Sequence, residues 1–85
     1  MELIGMTEEH LKYIQEHISP RIAAMHQGEI TKCEDLFDPE LWHAVPPRDR
    51  RWIFGRPVVI LVILGRVPLE LDGFNRQRHN LYRKV

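Results

Sequence analysis

One cysteine, Cys33, is all this chain of 85 residues contains, so no disulfide can close within it and a disulfide-stapled scaffold is excluded. The start of the chain lacks a charged region leading into an apolar one, so nothing there indicates export, and a reducing cytoplasm is the expected compartment. Long apolar runs are missing as well. The longest, Val58 to Leu64, falls far short of the roughly 20 residues that a membrane-spanning helix requires. Neither the Walker nor the dinucleotide glycine pattern is present, and no internal repeat or low-complexity linker divides the sequence. Five histidines are present, but neither an H-E-x-x-H motif nor a cysteine pair completes a ligand set, although His10 and His17 share one predicted helix face. Neither Cys33 nor Ser19 sits in a nucleophile signature, and a chain this short has little room for a concave substrate pocket. The expectation is a non-enzymatic protein with no metal and no cofactor.

What is present fits one domain over residues 1–85: 44% hydrophobic and 28% charged residues are close to the globular average. The zero net charge conceals a division. Residues 1–45 hold nine acids and three bases, a net −6, while residues 46–85 hold nine bases and three acids, a net +6. Such asymmetry suggests a face that binds polyanions. Most of these cations are arginine, whose forked donors suit phosphate and guanine better than the point charge of lysine. The alternative is that the two halves neutralise each other across the fold, with arginines paired to acidic helices.

Thr7 is placed to cap a helix that carries Glu8 and Glu9 in its first turn, and Leu11, Ile14, Ile18 and Ile22 form the stripe of an amphipathic helix. Pro20 interrupts it. Ser19-Pro20 reads as a fresh cap and first position, so the segment is one kinked helix or two short ones, closed by Gly28. Glu29-Ile30-Thr31 could pair as a strand. Thr31 and Glu34 have capping-box spacing for a short helix over 32–37, and Asp38-Pro39 starts another that carries Leu41, Trp42 and Val45 and ends at Pro46-Pro47. Pro47 opens a basic helix over 48–54, with Trp52, Ile53 and Phe54 expected inward and Arg48, Arg50 and Arg51 outward.

Residues 57–64 support two readings. Their β-branched composition, with Gly65-Arg66 as a hairpin turn, predicts strand, turn, strand. Pro57 at a helix start and Gly65 at a helix end predict a helix. Beyond them, Val67 to Leu71 reads as a strand, 72–75 as a turn and 80–85 as a closing strand, which gives a C-terminal β-hairpin with a basic loop at 75–79.

Three motifs in the last third, Arg51-Trp-Ile-Phe-Gly55-Arg56, Gly65-Arg66-Val67-Pro68-Leu69 and Asn80-Leu81-Tyr82, resemble a pattern found in small uncharacterised proteins of bacteria and their phages. The resemblance covers residues 31–85 and departs at Pro57-Val58-Val59, where a more polar helix start is expected. It carries no activity over. It implies a winged-helix-like order: helix, a short strand at 29–31, two helices, then a two-stranded wing from residue 67. The expected fold class is therefore α+β, a small helical domain with a C-terminal β-hairpin, and the resemblance favours the helical reading of 57–64.

Two functions follow. The first is DNA binding by the basic half, with Arg76, Arg78, His79 and the turn residue Phe74 on the wing, Arg48, Arg50, Arg51 and Arg56 on the backbone, and Arg66, Arg83 and Lys84 adding positive charge. RNA is permitted by the same residues. The second is a protein-interaction module or homodimeric adaptor that uses the apolar segment 57–64, seven of whose residues a small domain has difficulty covering. No membrane partner is expected.

Overall fold

Leu11, Ile14, Ile18 and Ile22 all face inward along one helix, α1 (Glu8–Ala24), in a computed structural model that describes residues 2–3 and 6–85. Thr7 caps it as expected, its hydroxyl accepting from the His10 amide at 3.1 Å. The helix runs through Pro20 because buried residues on both sides anchor it, so packing overrides the local cost of the missing N–H. Ser19 does not begin a second helix: its hydroxyl donates back to the Gln15 carbonyl at 2.6 Å. Nor does Gly28 end the first. The helix stops at Ala24 with Met25 extended, and Gly28, at φ +87°, turns the chain and donates its N–H to the Lys84 carbonyl at 2.8 Å. Ahead of α1, β1 (Glu2–Leu3) pairs antiparallel with β2 (Met6–Thr7).

After α1 come β3 (Ile30–Lys32), a 3-10 turn at Cys33–Leu36 and α2 (Pro39–Ala44). The Asp38 carboxylate caps α2 by accepting from the Glu40 amide at 2.9 Å. The capping box at Thr31 and Glu34 does not form: Thr31 donates its hydroxyl to the Lys32 carbonyl, and the 3-10 turn has no side-chain cap.

From Pro47 the chain winds through a 3-10 turn (Pro47–Asp49) and a π-helical turn (Arg51–Gly55) into α3 (Arg56–Ile63). The Arg56 N–H reaches the Arg51 carbonyl five residues back. Phe54, Pro57, Val58, Ile60 and Leu61 make up its buried stripe. The expectation that Trp52, Ile53 and Phe54 all face inward fails here. Three consecutive helical residues span about 200°, more than one buried face accepts. Phe54 takes the inward position, 1% exposed, and Trp52 is turned out, 58% exposed.

For 57–64 the helical reading holds. The β-branched side chains lower helix propensity by only a few tenths of a kcal/mol each, roughly, while burying them against α1 contributes more. Gly65 closes the helix instead of turning a hairpin. At φ +70° it donates to the Val62 carbonyl at 3.0 Å, and Arg66 donates to the Leu61 carbonyl at 2.9 Å, the paired bonds of a Schellman cap.

The C-terminal hairpin joins β4 (Leu69–Phe74) to β5 (Asn80–Lys84), and β3 pairs with the other edge of β5, which gives an antiparallel sheet in the order β3-β5-β4. Of the expected turn at 72–75, residues 72–74 lie instead within β4, as a bulge between Leu71 and Phe74 where Gly73 adopts φ +83°. The turn proper spans residues 75–79. Tyr82 on the central strand and Leu69 beside it belong to the same core as the α1 stripe, Leu36, Phe37, Phe54 and α3. The rings of Phe37, Trp42 and Phe54 pack together, with Phe54 centred 4.5 Å from Phe37 and 5.2 Å from Trp42. The fold class is α+β, as expected. No helix among the described residues is long and apolar enough to cross a membrane.

Candidate nucleic-acid interface

The side chains expected to contact nucleic acid divide into two groups according to what they already touch. Arg50 is half-buried: its Nε donates to the Trp42 and Val45 carbonyls, each at 3.0 Å, and its guanidinium lies 5.3 Å from the Trp42 ring centre. It therefore closes the C-terminal end of α2. Arg66 binds Gln15 Oε1 through Nε at 3.2 Å and Nη2 at 2.9 Å, and Nη1 pairs with Glu8 at 2.8 Å. Gln15 in turn donates to the Arg66 carbonyl at 3.0 Å, so this cluster ties the end of α3 to α1. Lys84 donates Nζ to the Ile22 carbonyl at 2.7 Å and links the sheet to the last turn of α1. On the outer face of the sheet, Arg83 bonds Glu70 opposite it across β4 and lies 3.9 Å from Asp72. Hydrogen bonding to Glu70, then the charges of Glu70 and Asp72, raise the Arg83 pKa further.

Arg48, Arg51, Arg76 and Arg78 form the second group. All four are exposed, and among the described residues the salt bridges engage only Arg66 and Arg83. Pairing of Arg76 or Arg78 with Glu29, Glu34 or Asp35, which internal neutralisation would require, does not occur. Arg56 has an intermediate position, its guanidinium stacked 4.7 Å from the Trp52 ring centre.

The hairpin tip is held in shape by one side chain. Asn75 Oδ1 accepts from the Gln77 amide at 2.9 Å and the His79 amide at 3.0 Å, while the Asn75 backbone bonds the His79 carbonyl and the Arg78 N–H, both at 3.0 Å. Arg78 adopts φ +63°, a left-handed conformation that costs a non-glycine residue on the order of 1 kcal/mol. Arg76, Arg78 and His79 are exposed around this loop, and Phe74 at its edge is 70% exposed. The sequence expectation of an exposed basic loop at 75–79 flanked by Phe74 matches this geometry.

Of the apolar segment, part of which is expected to be left for a protein partner, most is covered and the end is open. Pro57, Val58, Ile60 and Leu61 are buried, Val59 and Val62 are half-buried, and only Ile63 and Leu64 at its end are exposed. Cys33 packs against the core, and burial, followed by the charge of Glu34, pushes its thiol up to about 12. Burial and then the neighbouring Cys33 raise the phenol of Tyr82 as well, against a lowering hydrogen bond from Asn80. Among the described residues no group of three or more His, Cys, Asp and Glu side chains is arranged to hold a metal ion. His10 lies 3.1 Å from the Ile53 carbonyl and His43 lies 2.8 Å from the Pro39 carbonyl. The cavity beside Trp42 measures about 120 Å³, and a wider, more open depression lined by Glu8, Lys12, Gln15, Glu16, Ser19 and Arg66 measures about 500 Å³.

Trp52 is the surface feature that the sequence reading missed. Its signal was available: Trp52 falls two residues before Phe54, off the stripe that Phe54 shares with Val58 and Leu61. Compared with protein-family models, with curated proteins and with solved structures, the chain matches none.

Proposed function

We propose that this chain is a winged-helix-like, non-enzymatic nucleic-acid-binding or regulatory module whose contact surface is the hairpin tip together with the exposed arginines that precede α3. One observation carries the reading: Arg76 and Arg78 are presented on a loop fixed by Asn75, with no carboxylate of the described residues to neutralise them. A preordered cationic loop loses little conformational freedom on binding a phosphate backbone, and each phosphate it neutralises releases counterions. The order of elements supports it. A helix, a short strand, further helices and a two-stranded wing follow one another, and the short strand pairs beside the wing.

In this reading Arg76 and Arg78 contact phosphates from the wing, and Arg48 and Arg51 fasten the backbone at the start of the long helical segment. Arg50, Arg66, Arg83 and Lys84 serve the fold. Because the stripe of α3 is buried, that helix does not enter a major groove as a recognition element, and sequence discrimination is weak. A homodimeric or protein-binding role is left only Ile63 and Leu64 as open apolar surface on this segment. The test is size-exclusion chromatography with light scattering, run with and without DNA at low and moderate salt. A monomer that comigrates with DNA at low salt and releases it as salt rises is the expected result. A stable dimer that ignores DNA would replace this reading with the protein-binding one.

A further inference from the structure

The two most exposed aromatic side chains among the described residues are Phe74, 70% exposed, and Trp52, 58% exposed. Leaving a ring in water forfeits the stabilisation that burial brings, and neither ring closes a gap in this core. Each also lies close in sequence to arginines that have no acidic partner in the described residues: Phe74 precedes Arg76 and Arg78, and Trp52 adjoins Arg51 and carries Arg56 over its ring. Binding to the phosphates of a duplex needs the arginines, but the rings reach base faces there only by unstacking a base step. Unpaired bases offer those faces. Arg56 stacks its guanidinium over the indole at 4.7 Å, yet the residue keeps more than half its surface open. A cation on one face of a ring and a base on the other combines two favourable contacts with the same π-system.

Resting on the nucleic-acid reading above, we infer that the preferred ligand is a single-stranded nucleic acid whose bases stack on Trp52 and Phe74 while the neighbouring arginines neutralise its phosphates. Stacking platforms set among basic side chains bind single strands with little sequence preference, which agrees with the burial of the α3 stripe. Neither ring depends on the other for its place in the fold: Trp52 projects from the π-helical turn and Phe74 from the end of β4.

The full-length chain is titrated at low salt with a DNA single strand, an RNA single strand of the same sequence and the corresponding DNA duplex, following binding by anisotropy and by intrinsic tryptophan emission. At least one single strand should bind about tenfold or more tightly than the duplex and quench emission, and the quenching should disappear in Trp52→Ala. Trp52→Ala and Phe74→Ala should each weaken single-strand binding by roughly 5- to 150-fold, the range found when a stacking aromatic is removed, with the melting temperature unchanged. A duplex bound as tightly as both single strands, or variants that bind like the parent, would overturn this inference while leaving the nucleic-acid reading in place. No binding to any of the three at low salt would overturn both.

Discussion

At the base of the C-terminal hairpin Arg83 is paired with Glu70 and Lys84 reaches the Ile22 carbonyl, whereas at its tip Arg76 and Arg78 have no acidic partner among the described residues. Each end holds two of the nine cations of residues 46–85, yet they serve different purposes. Formal charge therefore does not identify a binding face. What distinguishes a cation available for a ligand is the lack of a partner within its own fold. The same division recurs before α3, where Arg50 closes α2 and its neighbour Arg51 is exposed.

Side chains engaged by the fold should cost stability when removed, and free ones should not. The largest contrast is between Phe54 and Trp52. Phe54→Ala should lose about 3–5 kcal/mol, a large share of the stability of a domain this size, while Trp52→Ala should stay within roughly 0.5 kcal/mol; urea unfolding measures both. Next come Arg50 and Arg51. Arg50→Ala leaves the Trp42 and Val45 carbonyls without their charged donor and should cost about 1.5–3 kcal/mol, whereas Arg51→Ala should leave the unfolding midpoint in place.

An alkaline titration probes the core beside the sheet. The Cys33 thiol is raised from its usual 9.0 to about 12 in the folded chain, so the unfolded chain ionises first. Stability is therefore intact below pH 9 and falls as pH rises from 9 toward 12, with Tyr82 adding a loss of the same sign at still higher pH. Between pH 8 and pH 10 the loss should be about 1 kcal/mol, and Cys33→Ala should remove most of it. The smallest effect is expected for Arg83→Ala: an exposed cross-strand pair contributes little, and the melting temperature should fall only slightly.

Much of this architecture could be read from the sequence wherever the signal is local. The stripe of α1, the Asp38-Pro39 start of α2 and the exposed loop at 75–79 depend on residues a few positions apart, and all three are found in the structure. The helix at α3 is different. Its β-branched residues favour a strand, and only packing against α1 and the Schellman cap at Gly65 decide the matter. Trp52 departs from the expectation because three consecutive helical residues cannot share one buried face. Among the arginines, sequence could not separate the engaged from the free, because Arg66 finds Gln15 across 51 positions and Lys84 finds Ile22 across 62. Those partners exist only once the chain has folded.

The contrast between tip and base is tested most directly by the salt dependence of DNA affinity in the parent, in Arg76→Ala/Arg78→Ala and in Arg83→Ala. The tip variant should bind more weakly, melt at the parent temperature and show a salt slope reduced in magnitude by about 2 on duplex or about 1.4 on a single strand, since each phosphate contact contributes about 0.9 or 0.7. Arg83→Ala should keep the parent slope. Equal slopes for the parent and the tip variant, or a loss confined to Arg83→Ala, would contradict the assignment of the tip as the contact surface.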